Sequence, residues 1–188
     1  MQTTRTFIAV EVGSPAREVI LRLIKQLSSE LDGIRWTQPD QLHLTLKFLG
    51  DIDNRELPEI CNQMRAACAG VDAFTVALTG LGAFPKNKPP RVLWVGIEEG
   101  AAPLALLHQR LELSLSQIGA PVEGRAYSPH MTLGRINRGA DQEQIATRLA
   151  RDTETSFSQF DVSELLLIAS VRERNRMSYE TIDSVSLF

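Results

Sequence analysis

The chain has 188 residues, 43% of them apolar and 23% charged, with a formal net charge of −3. At this length roughly 70% of the extended-chain surface can be buried, so a core forms without a metal or disulfide staple, and the acidic balance excludes a protein that coats duplex nucleic acid through a broad basic face. No apolar run approaches the roughly 20 residues that span a bilayer and the N-terminus lacks a signal-peptide pattern, so a soluble, cytoplasmic protein without membrane attachment is expected.

In chain order, Thr6 to Val12 is rich in β-formers and reads as a strand ended by Gly13. Ser14-Pro15 supplies a cap residue and a first-turn proline for a helix with Ile20, Leu23, Leu27 and Leu31 at helical spacing, stopped by Gly33. A polar turn leads into a strand through Gln41-Leu42-His43-Leu44-Thr45-Leu46-Lys47-Phe48-Leu49, ended at Gly50-Asp51. Asp53 or Asn54 can cap a second helix with a stripe of Leu57, Ile60, Cys61, Met64 and Cys68. Cys61 and Cys68 lie two turns apart, about 10 Å along the axis, which is too far for a disulfide and places both as small buried hydrophobes. Phe74 to Leu81 reads as a strand, and Gly82 to Pro90, with Pro85, Pro89 and Pro90, as the one plausible linker.

The order of elements then begins again. Val92 to Glu98 is a strand, Pro103 opens a helix carrying Leu104, Leu107, Leu111, Leu115 and Ile118, and Gly119 stops it. A second strand follows through Ser128-Pro129-His130-Met131-Thr132-Leu133-Gly134-Arg135. Asp141 caps a fourth helix with Ile145 and Leu149, Phe160 to Ile168 is a strand, and Tyr179 to Ile182 is the return arm of a hairpin with its tip near Glu173 to Arg176. An offset of 87 residues carries His43 onto His130 and Phe7 onto Trp94, while Phe74-x-Val76 matches Phe160-x-Val162 with one residue less. The expected fold is therefore α+β: one domain over residues 1–188 with an internal repeat over 6–84 and 92–171, and a C-terminal arm over 172–188. Two pseudo-symmetric lobes, each an antiparallel sheet with helices on its outer face, would bring the His strands to one cleft.

Successive side chains of a strand alternate between faces, so His43 and Thr45 share one face while Leu42, Leu44 and Leu46 share the other. His130 and Thr132 stand in the same relation to Met131 and Leu133. Duplicated scaffolding accounts for shared apolar positions; a polar His and Thr kept in both copies call for a use. Two imidazoles with ordinary pKa values near 6.5 can act as acid and base on either side of one phosphorus, and each hydroxyl can bond a phosphoryl oxygen. No Ser or Cys stands beside a base as a covalent nucleophile, and two His without convergent carboxylates make a poor metal site, so no metal or cofactor is expected. His108 on the third helix has no Thr partner and reads as structural. Phe7 and Trp94 are read as core packing, with base stacking as the alternative, and Arg172, Arg174 and Arg176 as a solvated loop.

The motifs His43-Leu44-Thr45-Leu46 and His130-Met131-Thr132-Leu133 resemble those of the two-histidine phosphoesterase superfamily. The segments Arg5 to Val10, Pro90 to Gly96 and Pro129 to Arg135 are similar to its bacterial RNA 2′,3′-cyclic phosphodiesterases, also called 2′-5′ RNA ligases, and the resemblance spans essentially the whole chain. It implies metal-independent opening of an RNA 2′,3′-cyclic phosphate to a 2′-phosphate, with ligation of 2′-5′ ends as the reverse-type reaction. By this resemblance His43 is the proton donor, His130 the proton acceptor, and Thr45, Thr132 and Arg135 bind the phosphate. The repeat alone leaves donor and acceptor interchangeable. Arg135 has the wrong parity in a regular strand, and a bulge or strand end at Gly134 would be needed to turn it into the cleft. The expected partner is RNA bearing a 2′,3′-cyclic phosphate or a 2′-5′ linkage, bound by a monomer. The alternatives are a cyclic phosphodiesterase for a small nucleotide of the ADP-ribose cyclic phosphate type, and a non-catalytic module that binds nucleotides or RNA ends.

Overall fold

The structure, a computed structural model, describes residues 2–173 and 176–188. These residues form β1 (Thr3–Glu11), α1 (Ser14–Glu30), β2 (Ile34–Trp36), β3 (His43–Asp53), α2 (Leu57–Cys68), β4 (Phe74–Phe84), β5 (Val92–Ile97), α3 (Ala101–Ser116), β6 (His130–Ile136), α4 (Gln142–Arg151), β7 (Ser156–Val162), β8 (Glu164–Glu173) and β9 (Arg176–Ser186). Every strand belongs to one curled antiparallel sheet of order β7-β4-β5-β6-β3-β1-β8-β9, with β2 added on β6. The fold is α+β, and its two groups of strands are continuous with each other: β3 and β6 meet at the single pair Leu44↔Met131. The lobes are not the two halves of the sequence. β4 joins β5, β6 and β7, and β8 and β9 return to pair beside β1.

That crossing explains where the expected elements differ. Phe160 to Ile168 is two strands, because β7 pairs with β4 in one lobe while β8 pairs with β1 in the other, and the chain turns between them at Ser163. Phe74 and Val76, matched by sequence to Phe160 and Val162, instead lie directly across from them, Val76 opposite Phe160 and Phe74 opposite Val162. The segment read as a linker is a hairpin loop inside one lobe. Gly82 to Phe84 continue β4 against Trp94 to Val92, and the amide of Arg91 closes the loop on the Phe84 carbonyl at 2.6 Å.

Helix starts follow local chemistry. Asp141 caps α4 as expected, its carboxylate accepting from the amides of Glu143 and Gln144. Ser14 is already helical, and Gly13 takes the cap position without a side-chain bond. Asp53 and Asn54 do not cap α2: Asp53 accepts from the Arg55 amide at 3.0 Å to close the preceding turn, and Asn54 accepts from the Thr4 hydroxyl at 2.7 Å. The apolar stripes of α1 to α4 cover one face of the sheet, where Ile8, Val10, Leu44, Leu46, Leu93, Val95, Met131 and Leu133 form the core with Ile20, Leu27, Ile60, Met64, Leu104, Leu107 and Leu111. Cys61 and Cys68 are buried free thiols, both pushed by burial up to about 11. The other face carries a small cluster of Phe7, Ala9, Leu166, Ile168 and Tyr179. Among the described residues no helix is long and apolar enough to cross a membrane.

Candidate active site

The open face of β3 and β6 holds both His-x-Thr pairs. Leu42, Leu44 and Leu46 turn into the core, each at most 3% exposed, which sends His43 and Thr45 the other way. Met131 and Leu133 are fully buried behind His130 and Thr132. Continuing the antiparallel register from Leu44↔Met131 sets His43 across from Thr132 and Thr45 across from His130. The two histidines are therefore diagonal neighbours, a relation that separates side chains by about 7–8 Å, with room for one tetrahedral group between them. Their charges act on one another: protonated His130 disfavours a charge on His43.

Arg135 joins this face through a bulge. Trp94 pairs with Thr132 but Leu93 with Gly134, so Leu133 has no partner on β5 and the alternation shifts by one. Arg135 is exposed beside a buried Gly134. The glycine serves a different purpose from the one expected of it. A Cβ there would lie 2.7 Å from Ile34 Cγ2 and 3.1 Å from the Arg35 carbonyl, so Gly134 lets β2 close on β6. The Arg135 guanidinium also acts on the phenol of Tyr179, whose pKa burial raises and the arginine pulls back.

Each imidazole sits against two aromatic rings. His43 lies 4.8 Å from Phe7 and 5.4 Å from Tyr179, measured between ring centroids. His130 lies 5.1 Å from Phe84 and 6.2 Å from Trp94. The Trp94 indole lies over Gly82, where a Cβ would fall 2.1 Å from Cη2, so glycine there is what lets the ring lie flat on the sheet. Phe7 is buried beside His43, whereas Trp94 is half-buried and lines the open face.

His130 Nδ1 bonds the Ser128 carbonyl at 2.8 Å, which places the proton on Nδ1 and leaves Nε2 as the nitrogen with a free lone pair. His43 Nε2 bonds the Thr45 hydroxyl at 3.0 Å. The Gln41 carbonyl, two residues back just as Ser128 is from His130, favours the charged form of His43, although Nδ1 is buried without a hydrogen bond of good geometry. Burial outweighs this and pushes the His43 imidazole down to about 4.

Behind β3 lies a polar layer absent from any motif. Pairing Ile8 with Lys47 and Ala9 with Thr45 leaves Leu46 as a bulge, which turns Lys47 inward to 1% exposure. Its ammonium bonds Glu112 of α3 and, at 2.8 Å, the Pro121 carbonyl. Glu112 accepts from the Glu123 amide at 3.2 Å. His108, structural as expected, bonds the carbonyl of bulged Leu46 at 2.8 Å and stacks on Tyr127 at 4.3 Å; the Tyr127 hydroxyl donates to the Thr45 carbonyl at 3.1 Å. These bonds tie the strand of His43 to the segment that leads into His130. Among the described residues no three His, Cys, Asp or Glu side chains converge on a point. Arg172 is exposed, and Arg174 and the side chain of Arg176 lie outside the described residues.

Comparison with known proteins gives the family. The profile of the 2′-5′ RNA ligase superfamily matches residues 15–174. The chain belongs to that superfamily. It is 32% identical over its full length to a Geobacillus stearothermophilus RNA 2′,3′-cyclic phosphodiesterase, of whose length it spans 58%. It is 30% identical to an RNA 2′,3′-cyclic phosphodiesterase of Aquifex aeolicus, the match covering 90% of each chain. Within the superfamily fold, the crystal structure of a Thermus thermophilus protein superposes with a TM-score of 0.82 at 24% identity over 97% of both chains. LigT of E. coli superposes at 0.78 and 23% identity over 100% of this chain and 99% of its own.

Proposed function

We propose that this chain hydrolyses RNA 2′,3′-cyclic phosphate ends to 2′-phosphates by acid-base catalysis between His43 and His130. The observation that carries the reading is the pairing of β3 with β6 at Leu44↔Met131, a register that, continued, makes His43 and His130 diagonal neighbours, each with a threonine on the same face. Water attacks phosphorus while His130 Nε2 takes its proton; the P–O3′ bond breaks, and His43 gives its proton to the departing O3′. Products are a free 3′-hydroxyl and a 2′-phosphate. His43 is neutral at rest, so it acquires the proton as the anionic substrate enters, because a neighbouring negative charge favours imidazolium. A donor with so low a pKa gives the proton up readily. Thr45, Thr132 and Arg135 bind the non-bridging oxygens, which gain charge at the transition state.

The groups present supply acid, base and anion contacts, so the reaction as proposed needs no metal or cofactor. Run backwards, the same groups join 2′-5′ ends. The relatives' activity on RNA favours this reading over a small-nucleotide cyclic phosphodiesterase. A pair of proton-transfer groups favours an enzyme over a binding module.

The test is incubation in EDTA with an oligonucleotide bearing a 2′,3′-cyclic phosphate. The expected product carries a 2′-phosphate, and the pH profile is bell-shaped. His43→Ala and His130→Ala should each lose about 10²- to 10⁴-fold in kcat. Intact substrate, a 3′-phosphate product, or variants as active as the parent would refute it.

A further inference from the structure

At the end of β6 the sheet opens into a cavity of about 700 Å³ lined by Arg35, Arg91, Arg135 and Asn137. All three arginines are exposed, and among the described residues none of their guanidinium groups makes an ion pair or hydrogen bond. Arg35 and Arg135 stand directly opposite in the β2–β6 register, where like charges repel. In a chain with 23 acidic residues against 20 basic ones, three cations left together without a carboxylate need a separate account. Arg135 links the cavity to the face of the histidines, because it lines the one and acts on Tyr179, which packs against His43, on the other.

We propose that Arg35 and Arg91, flanking Arg135, form a second phosphate site that holds the RNA chain on the 5′ side of the cyclic end, while Arg135 serves the cyclic phosphate. The inference rests on the hydrolytic reading above and adds a substrate class: oligonucleotides of a minimum length, in preference to mononucleotides. Charge-assisted contacts from guanidinium to phosphate are the strong ones, and Arg suits them through its fork of donors. Arg35 pairs across from position 135 and Arg91 beside position 136, so their strand positions lie about 15 Å from that of His130. A stacked single strand covers about 3.4 Å per nucleotide, so the site engages a chain of about four or five nucleotides and leaves a mononucleotide untouched. Among the described residues β2 pairs with β6 alone, and its other edge leaves room for the chain to run out.

The experiment uses the full chain with Arg35→Gln, Arg91→Gln and the double variant, all on exposed side chains, with a thermal melt to verify folding. Two readouts are taken: kcat/KM on a mononucleotide 2′,3′-cyclic phosphate and on a pentanucleotide with the same end, and equilibrium binding of a fluorescein-labelled pentanucleotide ending in a 2′-phosphate. Each substitution should weaken pentanucleotide binding and kcat/KM about three- to tenfold, with mononucleotide kcat/KM within about twofold of the parent. The slope of log affinity against log salt should fall by about 0.7 for each arginine removed. Undiminished pentanucleotide binding, or equal losses on both substrates, would overturn the site. Pentanucleotide binding that weakens in the variants while the parent hydrolyses neither cyclic end would uphold the site and refute the hydrolytic reading; hydrolysis with binding indifferent to both arginines would do the reverse.

Discussion

The half-buried, neutral His43 makes stability depend on pH. Its pKa is about 4 in the folded chain and near 6.5 when unfolded. Between those values the unfolded chain binds a proton that the folded chain does not, so stability contributed by His43 is complete above pH 6.5 and is lost as pH falls toward 4. At pH 5 the two pKa values give a loss of about 2 kcal/mol relative to pH 8, an upper figure because the ring keeps some contact with solvent. For a domain of this size that is a fall in Tm of about 4–8 °C. The perturbation is His43→Gln, which keeps a polar group of similar reach and cannot titrate. Urea or thermal unfolding at pH 8, 6 and 5 should show the parent losing about 2 kcal/mol more than the variant between the extremes, since other titrating groups cancel in the difference. Parallel curves for parent and variant would refute the burial argument, and with it the statement that His43 is neutral before substrate enters.

Three other substitutions test the supports of the site. Lys47→Met strands Glu112 beside a layer of core and should cost about 3–5 kcal/mol in urea unfolding, with Lys47→Met/Glu112→Leu recovering a large share. Gly82→Ala places a Cβ 2.1 Å from the Trp94 ring, so the indole must leave the sheet; kcat/KM on a cyclic-phosphate substrate should fall and Trp fluorescence shift, at a cost of about 1–3 kcal/mol. Gly134→Ala drives a Cβ to 2.7 Å from Ile34 Cγ2 and should loosen β2, read as faster hydrogen exchange at Ile34 and Trp36, again for about 1–3 kcal/mol.

Much of this was legible from the letters, and the parts that were not share a cause. A period of two needs no partner strand, so the facing of His43 with Thr45, and of His130 with Thr132, followed from sequence alone. Helical stripes and the Asp141 cap are equally local. Bulges are not local: Leu46 and Leu133 are extra residues only relative to the strands they pair with, and the fates of Lys47 and Arg135 depend on them. Arg135 could be given a condition, that something break the alternation near Gly134, but not its resolution. The three residues of β2 carry too little pattern to register. Tyr179 sits 136 residues beyond His43 in sequence and meets it only because β8 and β9 return to the edge of β1.

That return makes the two histidines unequal although their motifs repeat. β1 flanks β3 as β5 flanks β6, and the matched positions Phe7 and Trp94 each reach the neighbouring histidine. The next strand outward is β8 on one side and β4 on the other, so the second aromatic ring arrives from unrelated places: Phe84 from β4 itself, Tyr179 from β9, one strand further out. Phe84 brings no polar group. Tyr179 brings a hydroxyl that feels Arg135, and with Phe7 it helps enclose His43, the ring whose burial holds it uncharged. A repeat that left donor and acceptor interchangeable is thus made unequal by the C-terminal hairpin: under the proposed mechanism the enclosed imidazole is the one that must wait for an anion before it can hold a proton to donate. The other already has Nδ1 fixed on a carbonyl, with Nε2 free to accept one.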